Sequence, residues 1–516
     1  MQAAQPTRDD MKIVKSHEAT NLARLTFNGI GDDAAEPGVA PVVESRRSTV
    51  HLEVVVKNKI DGPSFHVRNP FDDSVIGSVP QRSAAYVSAM ISKICTYDAH
   101  LTAWQRYDIL IRFCELLSAH REEFKTLISR ESGKTLNDAN LEIDLALQAF
   151  NLSAEEAKRI NGEVIPLDDF AAQASSHAYV VREPIGPIVA ITPFSDPLNV
   201  VAHKVGAALA ANNAIIVKPS EHTPLTAVKM AELLYRAGVP TNMLQIVTGK
   251  PREIVETFAL DSRIRKLTFT GSVAVGKAIC QISSMKHLSM ELGGNDPMII
   301  LEDADLDAAL PIAIDGAFGN NGERCTSIKR FIIVESVADT FISSFVRATR
   351  KLSVGDQLDP NTNIGPLISE AAAETIRQRI YASVLQGATL LFGGERQAAL
   401  LTPTVLDSVS VEMPIVKEET FGPVASFIRV ANLNEAITVA NQTEFALQAS
   451  VFTNNLAAAK QAIAQINAGA VLINRSPGFR AEHLPSGGGG GGDSGIGRQG
   501  IKYAIAAMTH FKTIVM

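Results

Sequence analysis

"GPIVAITPFSDPLNVVAHKVGAALAANNAIIVKPS", residues 186–220, decides the fold. The apolar run "GPIVAITPF" (186–194) reads as a short strand, "VVAHKVGAALAAN" (200–212) as an alanine-rich helix, and "AIIVKPS" (214–220) as a second strand. The alternation continues outward. "PLTAVKMAELLYRAGV" (224–239) has proline in its first turn and glycine near its end, the usual asymmetry of a helix. "LQIVTG" (244–249) and "KLTFTGS" (266–272) read as strands, and "AVGKAICQIS" (274–283) as a helix. Strands alternating with helices predict an α/β fold with a parallel sheet and crossover helices. Ligands of such sheets bind outside the carboxyl ends of the strands. That directs attention to 192–199, 218–221 and 270–276.

On the N-terminal side, residues 100–160 are helical in pattern, with "YDILIRFCELLSAHREEF" (107–124) repeating apolar residues every three or four positions. "AYVVREPIG" (178–186) reads as a β-ribbon ended by a Pro-Gly break. Residues 1–60 are irregular and read as an extension. On the C-terminal side a second α/β section follows Cys325, from "FIIVES" (331–336) and "ADTFISSFVRATRKL" (338–352) to "GAVLIN" (469–474). Six consecutive glycines, Gly487–Gly492, carry too much backbone entropy for the interior of an element. The tail "THFKTIVM" (509–516) reads as a terminal strand.

The 516 residues carry a net charge of −7, which argues against a nucleic-acid or anionic-membrane partner, since both need a basic surface. No run reaches the roughly 20 apolar residues that span a bilayer, and the N-terminus lacks the apolar core of a secretory signal. The four cysteines, Cys95, Cys114, Cys280 and Cys325, form no CxxC and no Cys/His cluster. That fits a reducing, cytoplasmic setting and predicts no metal. Cys95, Cys114 and Cys280 sit in apolar runs and read as inert core thiols.

Cys325 is different. It stands in "GNNGERCTSIKR" (319–330), a polar loop. A thiol there is a candidate nucleophile, activated by a base or by a positive field from Arg324 and backbone N–H groups. Glu291, in "SMELGGNDPMII" (289–300), is a strand-end carboxylate followed by Gly293 and Gly294, so it can face a cleft as a base; its bland alternative is a solvated strand-end acid. "FTGSVAVG" (269–276) sets Gly271, Ser272 and Gly276 between a strand and a helix, a turn that can approach a phosphate, although it is neither GxGxxG nor a Walker loop. Lys218 and Glu221 stand just past another strand, placed for ribose hydroxyls.

These pieces resemble the aldehyde dehydrogenase superfamily after about residue 60. The matching stretches, in order, are "ITPFSDPLN", "KPSEHTPLTA", "FTGSVAVG", "MELGGNDP", "GERCTSIKR", "NIGPLIS", "EETFGPV" and "SGIGRQG". The resemblance implies a Rossmann-like NAD domain (61–167 and 186–292), a catalytic α/β domain (293–475) and a small β-ribbon oligomerisation element (168–185 and 500–516). It implies a homodimer or homotetramer. It also implies Cys325 as nucleophile, Glu291 as general base and Ser195 at the position that holds the oxyanion, where asparagine is usual. Phe194, Lys218, Glu221, Gly271, Ser272, Gly276, Glu419 and Phe421 would hold the cofactor, with NAD favoured over NADP because Glu221 repels a 2′-phosphate. "ELGGNDP", "RCTSIKR" and "VTGKPREI" resemble phosphonoacetaldehyde dehydrogenases, and "INRSPGFRAEHLP" resembles lactaldehyde-type members. Arg324 and Arg480 would then bind a small anionic aldehyde, a phosphonoaldehyde among them; the bland alternative pairs Arg324 with a structural acid and turns Arg480 to solvent. A lactaldehyde, a semialdehyde, or a catalytically weak binding or structural role are the alternatives. In "PSGGGGGG" (485–492), Ser486 replaces an aromatic residue usual at the substrate mouth.

Overall fold

The computed structural model describes residues 62–98, 101–167 and 177–516. The expected extension over 1–60, and residues 168–176 of the expected ribbon, lie outside the described residues.

The alternation in the opening stretch becomes a six-stranded sheet ordered Gly495–Ile496, His287–Glu291, Lys266–Thr270, Ile188–Ile191, Ile215–Lys218, Leu244–Ile246. Five of these strands are parallel, and Gly495–Ile496 adds an antiparallel edge opposite Glu291 and Met290. Ile188–Ile191 and Ile215–Lys218 are buried at every position, as their unbroken apolar runs require. The helix Asn199–Ala210 is also buried throughout. Its small residues let it lie close against Leu136–Ala157: a Cβ on Gly206 would meet Ser153 Oγ at 2.5 Å.

The preceding helices do more than cover the sheet. Glu131 and Glu142 reach across to the N-termini of two crossover helices. Glu142 Oε1 accepts the N–H groups of Leu198 (2.7 Å) and Asn199 (3.0 Å). Glu131 accepts those of Leu225 (2.9 Å) and Thr226 (3.0 Å). Carboxylates at helix N-termini satisfy unpaired donors and oppose the positive end of the helix dipole. Here Glu142 fixes the loop between Ile191 and Asn199, which borders the site, and Glu131 fixes the start of Pro224–Ala237.

The second section forms a seven-stranded sheet ordered Thr389–Phe392, Thr404–Asp407, Val424–Val430, Ile328–Val334, Asp296–Ile300, Gln448–Phe452, Ala470–Ile473. Only Thr389–Phe392 runs antiparallel to its neighbour. Phe331, Phe341, Phe345 and Phe427 pack its core, with Phe331 stacked on Phe427 at 4.8 Å between ring centroids. A third sheet of Thr509–Val515, His177–Pro184 and Glu163–Pro166 is antiparallel. Gly487–Gly492 lies outside helices and strands.

One reading needs correcting. Cys95 is exposed at the last turn of the helix Ala84–Cys95, whereas Cys114 is buried and Cys280 half-buried. The run "ISKIC" is apolar because Ile91 and Ile94 face inward; Cys95, next along the helix, does not.

Candidate active site

Cys325 is placed by an unusual loop. Asn320 and Asn321 adopt left-handed conformations (φ 53° and 57°), and Gly322 follows at φ 69°. A Cβ on Gly322 would lie 2.2 Å from the Gly422 carbonyl oxygen, so only glycine lets the chain pass. Asn321 ties the loop down: its amide donates to Gly133 and Pro366 carbonyls at 3.0 Å and accepts from Gly365 N–H at 2.7 Å. Lys329 donates to the Gly322 carbonyl at 2.6 Å. The polar composition around Cys325 therefore does structural work inside the protein, since Asn320, Asn321, Glu323 and Lys329 are all buried.

Cys325 is half-buried in the wall of a cavity of about 320 Å³. Glu291, Ser195, Phe194, Thr270, Gly271, Ser272, Glu419, Phe421 and Arg480 line the same cavity. Burial pushes the Cys325 thiol up to about 12, against the pull of Arg480, so it needs a proton acceptor to react at neutral pH. Glu291 ends the strand His287–Glu291 and is 7 % exposed. Burial raises it to about 7, while Lys204, Arg480, Arg498 and the Gln499 N–H pull the other way. Its Oε1 has no hydrogen-bond partner among the described residues. A buried carboxyl that titrates near neutrality, with one oxygen free, is suited to general-base work.

The other side of the cavity faces the carboxyl ends of the first sheet. Ser272 caps the helix Val273–Ile282 without a side-chain hydrogen bond, leaving first-turn N–H groups available to an anion. Gly276 is needed for packing: a Cβ there would lie 2.5 Å from Leu292 Cδ2. Lys218 and Glu221 meet at 3.4 Å just past Ile215–Lys218, with Lys218 buried and Glu221 exposed. The rings of Phe194 and Phe421 meet edge-on at 5.7 Å. Glu419 lies so close to Gly293 that a Cβ there would be 2.1 Å from its Oε2.

The two arginines part company. Arg480 reaches the cavity, its one hydrogen bond going to Gln499 Oε1 at 3.1 Å, with no ion pair among the described residues. Arg324 does not line it. Its guanidinium turns to Asp138 at 3.5 Å and Asp315 at 3.7 Å. Expected cavity residue and actual structural cation differ because Asp138, at the start of Leu136–Ala157, is close only in three dimensions. Further polar residues line the cavity: Asp196 and Thr270, from the stretches 192–199 and 270–276, and Glu323 and Gln499. Asp196 could have been found, since it follows Ser195 at a strand's carboxyl end. Glu323 and Gln499 carried no such signal.

The aldehyde dehydrogenase family model matches residues 56–514. The chain belongs to the aldehyde dehydrogenase family. A sulfoacetaldehyde dehydrogenase of Neptuniibacter caesariensis is 38% identical over 456 residues, covering 88% of this chain and 99% of that protein. Aspartate-semialdehyde dehydrogenase 1 of Pseudomonas canavaninivorans is 38% identical over 460 residues, covering 88% and 97%. The solved glyceraldehyde-3-phosphate dehydrogenase GapN of Methanocaldococcus jannaschii, complexed with NADP, superposes with a TM-score of 0.85 at 34% identity, covering 89% of this chain and 99% of that one. The protein is an NAD(P)-dependent aldehyde dehydrogenase acting on small aldehydes. The uncapped helix end at Ser272, the paired Lys218 and Glu221 and the cleft between Phe194 and Phe421 suit such a dinucleotide.

Proposed function

We propose that this aldehyde dehydrogenase oxidises a small anionic aldehyde to its acid, with NAD preferred over NADP and without coenzyme A. The observation that carries the anionic substrate is Arg480: a guanidinium in the cavity of Cys325 and Glu291, with one hydrogen bond and no ion pair among the described residues. An unpaired guanidinium offers a fork of donors to a carboxylate, sulfonate or phosphonate. Among these, one guanidinium facing several carboxyls suits a monoanion better than the phosphono dianion that the sequence suggested. A lactaldehyde would leave Arg480 without a charged partner.

In this reading the Cys325 thiol gives its proton to solvent, Sγ bonds to the aldehyde carbon, and the Ser195 hydroxyl and backbone N–H groups stabilise the oxyanion. The nicotinamide, when bound, accepts the hydride. Lys218 and Glu221 hold the adenosine ribose, Gly271, Ser272 and the following helix turn the pyrophosphate, and Glu419 with Phe421 the nicotinamide ribose. Glu221 favours NAD by repelling a 2′-phosphate. Oxidation leaves the acyl group as a thioester on Cys325. Glu291 then takes a proton from water, which attacks the thioester and releases the acid. A hydrolytic base of this kind makes coenzyme A unnecessary.

The antiparallel sheet of Thr509–Val515, His177–Pro184 and Glu163–Pro166 exposes Phe511, Val515 and Val164, which supports its use as the contact of a homodimer or homotetramer. Four free cysteines suit the cytoplasm, and no described helix is long and apolar enough to cross a membrane. The decisive test is NADH formation across carboxy-, sulfo-, phosphono- and neutral aldehydes of matched length, repeated with Arg480→Leu. The substitution should lower kcat/KM about tenfold to a hundredfold for anionic aldehydes and much less for neutral ones. Equal losses would defeat the reading.

A further inference from the structure

The strand Ile328–Val334 is buried at every position, yet it holds two cations side by side, Lys329 and Arg330. Arg330 is fully used by the chain around it: its guanidinium donates to the carbonyls of Asn295 (2.8 Å), Val439 (3.0 Å) and Ala440 (3.1 Å). Lys329 is buried as deeply and makes no ion pair among the described residues. Its ammonium donates to two carbonyl oxygens, Gly322 at 2.6 Å and Gly422 at 3.1 Å. These belong to the two segments that bring Cys325 on one side, and Glu419 and Phe421 on the other, to the cavity.

Neither carbonyl depends on Lys329 for a partner. The Gly322 oxygen also accepts from Ser327 Oγ at 3.3 Å, and the Gly422 oxygen from the Val424 N–H at 2.9 Å. Burying an ammonium costs far more desolvation than burying a neutral donor, so two partnered carbonyls do not account for it. What Lys329 adds is a bridge between the segments, and a charge. The carboxyls in its field are Glu419, Glu323 and Asp296, with Arg324 opposing them. Glu323 is engaged with the Ile368 N–H and Asp296 with the Gln448 N–H, both at 3.1 Å. Glu419 faces the cavity. Burial raises it to about 7, while Lys329, the Gly294 N–H and Arg379 pull it down, and the neighbouring Asp296 adds like charge. Arg379 is itself paired with Glu418 at 2.6 Å. Burial lowers Lys329 to about 7, with Glu419 the largest pull the other way, so the two charges support each other.

Building on the reading that puts the nicotinamide ribose at Glu419 and Phe421, we propose that Lys329 is a positioning residue for hydride transfer: its ammonium ties the Cys325 loop to the ribose-holding segment, and its charge favours the Glu419 carboxylate that accepts the ribose hydroxyls. Nucleophile and nicotinamide are then held in one register by a side chain that touches neither.

The test uses the full-length enzyme and reads two quantities: NAD affinity by fluorescence titration across neutral pH, and the first-turnover burst of NADH at saturating NAD. In the parent, affinity should rise with pH towards about 7, where Glu419 ionises, and flatten above it. Lys329→Gln keeps an amide donor but no charge. It should move that rise to higher pH and, even on the plateau, slow the burst about tenfold, the size of one charge-assisted contact. Lys329→Arg keeps the charge and should leave the midpoint where the parent has it; this variant carries the test if the glutamine one does not fold. NAD affinity weakened by one factor at every pH in Lys329→Gln would make Lys329 a packing residue only and overturn the proposal. So would a burst as fast as the parent's, or a displaced midpoint in Lys329→Arg. Glu419→Gln tests the reading beneath: it should weaken NAD binding and flatten its pH profile, and unchanged NAD affinity would overturn the ribose assignment itself.

Discussion

Glu482 gives the sharpest test of how the cavity wall is held. It is 3% exposed and two residues beyond Arg480. One carboxylate oxygen takes the His203 Nε2–H, and the other takes the Asn199 amide at 3.4 Å. Burial alone would raise this acid, but the His203 hydrogen bond and charge, the Arg480 charge and the Asn199 hydrogen bond outweigh it and hold it at about 2. Burial pushes the pKa of His203 down, against the pull of Glu482. Glu482→Ala strips both donors of their acceptor. Among the described residues His203 Nδ1 and Asn199 Oδ1 have no hydrogen-bond partner either. Two buried, orphaned donors at about 1–3 kcal/mol each imply a loss of roughly 2–6 kcal/mol. The depressed pKa reflects the same hydrogen bonds, together with the charges nearby. A drop from 4.5 to about 2 on folding corresponds to about 3 kcal/mol. Because the folded pKa is depressed, that stabilisation is present above about pH 4.5 and is lost as pH falls towards 2. Urea unfolding followed by circular dichroism should show the parent losing stability over that window and Glu482→Ala losing less there, with Glu482→Gln intermediate at pH 7. An alanine variant within about 0.5 kcal/mol of the parent at pH 7, or one with the same acid limb, would refute the reasoning.

Other expectations follow from the same geometry. Cys325→Ala should abolish aldehyde oxidation while NAD affinity, read by fluorescence titration, stays within a few-fold. Glu291→Gln should give a burst of about one NADH per site and then a slow rate, since the thioester forms but hydrolyses poorly. In the parent enzyme the hydrolysis-limited rate should climb as pH rises towards 7, where Glu291 ionises, and flatten above it; a flat profile through that range would remove Glu291 as base. Glu221→Ser should narrow the preference for NAD, and equal kcat/KM for NAD and NADP in the parent would contradict its role. Ser195→Asn should raise kcat on small aldehydes by about an order of magnitude, because one oxyanion donor is worth about 2.7–4 kcal/mol in comparable sites; if asparagine is no faster and Ser195→Ala equals the parent, the hydroxyl plays no part.

The first sheet was legible because its central strands Ile188–Ile191 and Ile215–Lys218 come from apolar runs and the crossover helices between carry a compatible period, while only part of the second sheet was read. Burial on both faces writes itself into the sequence in that way. Cys325, Glu291, Gly271 and Ser272 were readable as candidates for another reason, whereas Ser195, Phe194, Glu419 and Phe421 came only from the resemblance to aldehyde dehydrogenases. The first four stand at strand ends or in short glycine-containing turns, where local sequence already limits what a side chain can face. The structure brings all eight to one cavity.

What local sequence does not carry is the direction of a long side chain. Arg324 and Arg480 looked alike, each an arginine beside a motif. A guanidinium goes where its acceptors are, and these come from distant parts of the chain. Asp138 and Asp315 draw Arg324 out of the cavity wall. Arg480 stays because its neighbour Glu482 is committed to His203 and Asn199, and Gln499 offers it a neutral oxygen in place of a charge. A carboxylate at position 499 would pair with Arg480 and spend the charge that a substrate could use. The glutamine leaves it open, so under the proposed anionic-aldehyde reading the specificity of the site would rest on a residue whose own side chain carries no charge.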